Sequence, residues 1–235
     1  MKPAAMPVWA KIISVVLSLL MIVSALFFVL RGLINSERFF LREYTKIGNA
    51  HAMGMSAEDL TAATMQMMNY MEGRVRAIDI EVTVHGERVS MFNEREVLHL
   101  VDVRVLYLVW RTLAFLFLAL YAAMLVYLLF RKQIAFVPRA FLVAAGLFVV
   151  LLITLSVLAL VDFDAFWTTF HHIFFTNDLW LLDPATSRMI NMMPLQLFFD
   201  IVMQIILRFA VPFAAVITLV AYLLRRKRAK GRASA

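Results

Sequence analysis

The stretch IISVVLSLLMIVSALFFVL, residues 12–30, sets 19 uncharged residues between Lys11 and Arg31. About 20 apolar residues cross a bilayer core as helix, so this run is long enough to span. Three more runs follow. Val105 to Phe130 carries one charge, Arg111; Ala140 to Val161 carries none; about Leu195 to Leu224 carries Asp200 and Arg208. The first run follows a basic N-terminus, as a signal peptide would. It exceeds the roughly 7–15 apolar residues of a signal-peptide core and reads as an uncleaved anchor.

Composition agrees. Of 235 residues, 63% are hydrophobic and 17% charged, with a mean hydropathy of +0.83. A soluble domain has about 45–50% apolar and about 25% charged residues. The absence of cysteine excludes disulfides, thiol nucleophiles and thiolate metal sites. The net charge of +7 does not point to nucleic acid, because the basic residues sit at the ends of apolar runs.

Their placement gives orientation. Residues 1–11, 131–139 and 225–235 hold eleven of the basic residues and no acidic one. Positive segments stay in the cytoplasm, which predicts a multi-pass protein with both termini inside. The expected order is a cytoplasmic N-terminus and first span (1–31) and an outer cap with the start of the second helix (32–104). The second span (105–130), a cytoplasmic loop (131–139) and the third span (140–161) follow. An aromatic outer segment (162–196), the fourth span (197–224) and a basic cytoplasmic tail (225–235) complete it. The predicted fold class is an all-α membrane protein, four transmembrane helices with a small extracytoplasmic cap containing a candidate short β-hairpin.

Within the cap, MGMSAEDLTAATMQMMNYMEGRV reads as a helix capped by Ser56, with Asp59 three residues on. IDIEVTVHGERVSMF alternates Ile78, Ile80, Val82 and Val84 and turns at His85-Gly86, a hairpin pattern. NEREVLHLVDV opens a new helix with Asn93 as cap and Glu96 at its third position. If that helix runs unbroken to Phe130, Arg111 stands roughly 28 Å and His99 roughly 46 Å from its end. A hydrocarbon core of about 30 Å puts Arg111 at its boundary. Arg208 sits roughly 25 Å before Arg225 by the same count. Each arginine either snorkels to the interface, or pairs structurally, Arg208 with Asp200 or Asp162, or lines an outward-facing pocket.

FDAFWTTFHHIFFTNDLWLL packs nine Phe, Trp or His residues into twenty, a density suited to the membrane interface. Adjacent His171 and His172 do not share a face of a helix or strand, so they do not act on one atom. No H-x-x-x-H or thiolate accompanies them, and no histidine lies deep in a span as a haem ligand would, so neither metal nor cofactor is expected. His99 has Glu96 and Asp102 one helical turn away on either side. A carboxylate there can fix an imidazole's tautomer and raise its basicity.

Two segments carry a resemblance. FNEREVLHLVDVRVL is similar to the signature F-x-x-x-E-x-x-H-M-x-D-V-[KR]-x-L, with Leu100 in place of Met. FHHIFFTNDLWLLDP is similar to F-H-x-x-F-F-x-x-x-x-W-x-x-D. Together, and with GMSAEDL followed by NYM, they resemble the lipoprotein intramolecular transacylases, a family of four-span bacterial membrane proteins. The resemblance implies a reaction on the outer face of the cell membrane, with a diacylated lipoprotein as substrate and membrane lipids as surroundings. The sn-2 acyl chain of S-diacylglyceryl-cysteine would move to the cysteine α-amino group, giving the lyso-form lipoprotein. The family's two functional histidines map onto His99 and His171, one residue from the alternative His172.

The chemistry fits. The substrate amine is its own nucleophile, so what is needed is a base for the ammonium and an acid for the departing glyceryl oxygen. His171 is the expected base and His99 its acid–base partner, oriented by Glu96 or Asp102. Arg111, Arg208, Asn177 and Trp180 are the expected groups for the oxyanion or the diacylglyceryl moiety. Phe174 and Phe175 are expected to wall the acyl chains, and Asp183 completes the expected substrate-binding set. The alternative is a non-catalytic assembly or lipid-binding partner. The sequence leaves oligomeric state open.

Overall fold

The computed structural model describes residues 6–233. Residues 1–5 and 234–235, the extremes of the basic termini read above, lie outside them. The elements in chain order are α1 (Val8–Ile34), α2 (Glu37–Ile47), α3 (Asn49–Ala52), α4 (Ala57–Met71), β1 (Glu81–Val84), β2 (Glu87–Ser90) and α5 (Glu94–Phe130). There follow α6 (Val137–Val161), α7 (Phe163–Phe174), α8 (Arg188–Met192), α9 (Leu195–Ile205) and α10 (Val211–Ala233). Among the described residues, four stretches are long and apolar enough to cross a membrane: Val8–Ile34, Glu94–Phe130, Ile134–Val161 and Leu195–Lys227.

The fourth is not one regular helix. A π-helical turn, Ile206–Ala210, separates α9 from α10. Pro212 explains it: proline has no N–H to give the carbonyl of residue 208, and its ring would clash with that carbonyl in a regular α-helix.

The chain divides into two compact units. Within the described residues, the first comprises 6–28, 112–163 and 206–233. Ala140, Ala144 and Phe148 recur at i, i+4 and i+8 on α6 and are buried. Phe148 meets Phe209 and Phe213 edge-on at 5.8 and 5.6 Å. Ser14 and Ser18, both buried, donate to the carbonyls four residues back at 2.7 Å, so no hydroxyl is left unsatisfied. The outward faces are apolar: Phe130, Val150, Leu160 and Val161 are exposed, as lipid-facing residues are.

The second unit comprises residues 29–111 and 164–205. Phe39, Phe40 and Tyr44 lie on one face of α2 and join Leu60, Met67 and Met71 of α4 in its core. The Tyr44 hydroxyl is 2.8 Å from Thr64 Oγ1, which satisfies both buried groups. Ser56 caps α4, accepting the Asp59 N–H at 2.9 Å. The expected hairpin forms, with Val82 opposite Val89. His85 and Gly86 both have positive φ, 51° and 86°, the combination that a two-residue type I′ turn requires.

One group in this unit had no counterpart in the sequence reading. Glu72, at the end of α4, is buried. Arg31 donates to its two carboxylate oxygens through Nε and Nη2 at 2.7 and 2.8 Å. Arg111 donates to Oε2 at 3.0 Å and to the Glu72 carbonyl at 2.7 Å. Asn35 Nδ2 and the Tyr107 hydroxyl donate to Oε1. The last residues of α1 and the middle of α5 are thus bound to one carboxylate. Asp200 pairs with Lys46 at 2.8 Å.

Burial works against ionisation of Glu72, and the donors from Arg31, Tyr107 and Arg111 overcome it, holding its pKa at about 2 against an ordinary 4.5. A depressed carboxyl stabilises the fold above its unfolded pKa, and the contribution is lost as pH falls through the folded one. Unfolding of the detergent-solubilised protein, followed by circular dichroism, is therefore expected to lose roughly 3 kcal/mol between about pH 4.5 and 2. Glu72→Gln should cost about 3 kcal/mol at pH 7, because two guanidinium groups lose their counter-charge, and should abolish that acid dependence. A variant as stable as the parent and equally acid-sensitive would refute this account.

Candidate active site

The first turn of α5 is closed by a reciprocal capping box. Asn93 Oδ1 accepts the Glu96 N–H at 2.9 Å, and Glu96 Oε2 accepts the Asn93 N–H at 2.7 Å. The other Glu96 oxygen is not free. It accepts the Ser187 hydroxyl and, at 2.8 Å, the Met189 N–H. Two further residues of α5 hold the segment after α7: Arg95 donates to the Asp178 carbonyl, and Asp102 Oδ2 accepts Asn177 Nδ2 at 2.9 Å. His99 lies between these anchor points and is 6% exposed. Its Nδ1 is buried with no protein partner.

His171 comes to the same place from α7. It is 5% exposed, and its ring centroid lies 6.2 Å from that of His99. Trp180 stacks on it at 4.6 Å with 25° between planes. Trp167 lies at 4.6 Å and Phe170 at 5.4 Å. Phe175 touches both imidazoles, at 5.2 Å from His99 and 5.7 Å from His171. His171 Nδ1 is 2.8 Å from the Trp167 carbonyl. A carbonyl only accepts, so Nδ1 carries the proton and Nε2 keeps its lone pair. Burial pushes the His171 pKa below its ordinary 6.5; the Trp167 carbonyl opposes this and neighbouring His172 reinforces it. Neutral imidazole is therefore the resting form near pH 7.

The adjacent histidine differs. His172 is exposed and meets only the edge of Trp180, at 5.3 Å. Helical geometry separates the two rings, as neighbours on a helix must be.

The remaining candidates distribute as follows. Phe175 and Trp180 are buried at the histidines, while Phe174 is 37% exposed. Trp180 Nε1 is buried without a protein partner. Asn177 bonds Asp102 and accepts the Leu179 N–H at 3.1 Å. Asp183 caps a turn, its carboxylate accepting the Ala185 N–H at 2.9 Å and its carbonyl the Ser187 N–H at 2.8 Å. Arg111 stands 12 residues beyond His99 on α5, roughly 18 Å of helix rise, and is held by Glu72. Arg208 lies in the π-helical turn of the other unit. Glu96 faces the Asn93, Ser187 and Met189 donors. Trp167 and Ser187 were not singled out from sequence. Trp167 was findable, since it precedes His171 by one helical turn; Ser187 was not, because 91 residues separate it from Glu96.

Comparison with known proteins gives this geometry a setting. Residues 14–199 match the family described as the lipoprotein intramolecular transacylase Lit. Among solved structures, the chain is similar to the membrane-integral lipoprotein intramolecular transacylase Lit of Bacillus cereus. The two are 17% identical over 94% of this chain and 98% of that one, with a TM-score of 0.73. Two structures of the same protein with a histidine replaced, by arginine in one and alanine in the other, are 18% identical. They give TM-scores of 0.70 over 94% of this chain and 95% and 96% of theirs. At such identity the structures establish a common fold. Among curated proteins, none matches this chain. The family match spans most of the sequence and includes both histidine-bearing segments, so this multi-pass membrane protein belongs to the lipoprotein intramolecular transacylase family of acyltransferases.

Proposed function

We propose that His171 and His99 catalyse an O-to-N acyl shift within one S-diacylglyceryl-cysteine lipoprotein, on the outer face of the bacterial cell membrane. The reading rests on one observation above all: two buried imidazoles, 72 residues apart in sequence, lie with ring centroids 6.2 Å apart. Charge placement supports the sidedness, since all eleven basic residues of 1–11, 131–139 and 225–235 are free of acidic neighbours there.

The steps follow from the proton inventory. His171 Nε2 takes a proton from the substrate's α-ammonium. The freed amine attacks the sn-2 ester carbonyl, forming the C–N bond and placing negative charge on the carbonyl oxygen. Trp180 Nε1–H, buried and without a protein acceptor, is suited to donate to that oxygen. Collapse breaks the ester C–O bond: the glyceryl oxygen leaves with the proton held by the newly charged His171, while the amide nitrogen gives up its second proton to His99, which passes it to solvent. The product is N-acyl, S-monoacylglyceryl-cysteine of unchanged mass. No enzyme nucleophile is needed, because holding amine and ester together in one molecule supplies much of the acceleration. Phe175, Phe170 and Trp167 wall the acyl chain near the bases. Glu96, Asp102 and Asn177 act as positioning residues that set the His171 segment against α5.

The test is mass spectrometry of lipoprotein N-termini in cells lacking their own N-acylating enzyme, with fragment ions locating the moved chain. Conversion is expected with this protein and should fall by about 100-fold or more in His171→Ala and His99→Ala. His172→Ala should stay within a few-fold of the parent. Unchanged lipoproteins alongside folded, inserted protein, or equal loss in His172→Ala, would overturn the assignment. Trp180→Phe keeps the ring stacked on His171 but removes its N–H; it is expected to lower kcat by about 10²-fold with little change in KM. A Trp180→Phe enzyme with normal kcat would remove Trp180 from the oxyanion role.

A further inference from the structure

The turn after α4 stands apart from the histidine site and shares no residue with it. Gly73 has φ +77°. Its N–H donates to the Tyr70 carbonyl at 3.0 Å and that of Arg74 to the Asn69 carbonyl at 2.9 Å, the paired bonds of a Schellman cap. The chain leaves this cap as Arg74-Val75-Arg76, all three exposed. Arg74 is steadied by Asn69 Oδ1 at 2.8 Å. Arg104 of α5 joins them: its guanidinium lies 4.3 Å above the Tyr70 ring and donates to the Arg76 carbonyl at 3.3 Å.

The charge here is uncompensated. Glu72, the acidic residue beside Gly73, is already shared by Arg31 and Arg111. Among the described residues, no ion pair engages Arg74, Arg76 or Arg104. Depth identifies the occupant. Arg111 donates to the Glu72 carbonyl at 2.7 Å, and Arg111 stands roughly 28 Å along α5 from Phe130, the thickness of a hydrocarbon core. Arg31, which ends a 19-residue uncharged run, meets the same carboxylate at 2.7 Å. The turn following Glu72 is therefore fixed at the boundary between acyl chains and headgroups. Val75, 42% exposed between two arginines, presents an apolar side chain at that depth.

We propose that Arg74, Arg76 and Arg104 form a binding site for the phosphate of an anionic phospholipid, with Val75 entering the acyl region beside it. Guanidinium groups match phosphate oxygens bidentately, and basic residues at a lipid surface favour anionic over zwitterionic headgroups. The site holds the second unit against the bilayer by lipid contact and gives the protein a preference for acidic membranes.

The experiment is native mass spectrometry of the full-length protein in mild detergent, titrated with phosphatidylglycerol, phosphatidylcholine or inorganic phosphate. Phosphatidylglycerol is expected to bind tightest. Arg74→Ala with Arg76→Ala should weaken it about 10- to 30-fold, while the paired lysine replacements keep most of the binding. Equal binding of the two lipids, or unchanged phosphatidylglycerol binding in the alanine pair, would overturn the proposal. Inorganic phosphate displacing the lipid at equal concentration would overturn the assignment to a lipid. The measurement involves no acyl transfer, so its failure leaves the reading of the histidines intact.

Discussion

One buried carboxylate governs the second unit. Glu72 takes hydrogen bonds from the last turn of α1, from the loop residue Asn35 and from two turns of α5. A lone ionised carboxylate costs several kcal/mol to remove from water, and attraction to one partner seldom recovers that. Two arginines, an amide and a phenol reverse the balance here, as the depressed pKa of about 2 records. Removing any one of the elements therefore leaves charges unpaired in a poorly solvated place. That makes the arrangement a specifier of register: α4 can meet α1 and α5 only where the guanidiniums reach it.

Glu96 plays the corresponding part near the histidines, by a different physical route. Its carboxylate closes the capping box of α5 and also accepts from Ser187 and Met189. One residue thereby fixes both where the helix carrying His99 begins and where the segment beyond His171 is attached. His171 itself is oriented by its own helix, through the Trp167 carbonyl, and by aromatic rings on several sides. Side chains held by packing and hydrogen bonding of this kind keep a fixed geometry.

The sequence revealed the parts of this structure that depend on local chemistry. Apolar run length located the four spans, and Ser56, Asn93 and His85-Gly86 marked two helix starts and a hairpin turn that the structure contains. The spacing of His171 and His172 already implied that they face different ways. What depended on distant partners was hidden. Glu72 was not singled out, because nothing local announces that residues 41 before and 39 after it will converge on it. Arg111 was legible as a boundary arginine but not as its partner. Glu96 was legible as the capping-box partner of Asn93 and as a neighbour of His99, but not as the acceptor for donors 91 and 93 residues away. Pro212 could have forecast the π-helical turn; inside a long apolar run, its missing N–H carries no hydropathy signal.

The rings packed round His171 also bear on fidelity. An ester lying beside a general base is at risk of plain hydrolysis, since water competes with the amine for the same carbonyl. Trp167, Phe170, Phe175 and Trp180 leave His171 5% exposed, so few solvent molecules can reach the lone pair on Nε2. With His171 as the base proposed above, the partition between moving a fatty chain and wasting it as free acid would be set by the density of aromatic carbon around it. On the same proposal, enlarging a gap in that wall would let water compete for the ester and turn transfer into slow hydrolysis without touching either imidazole.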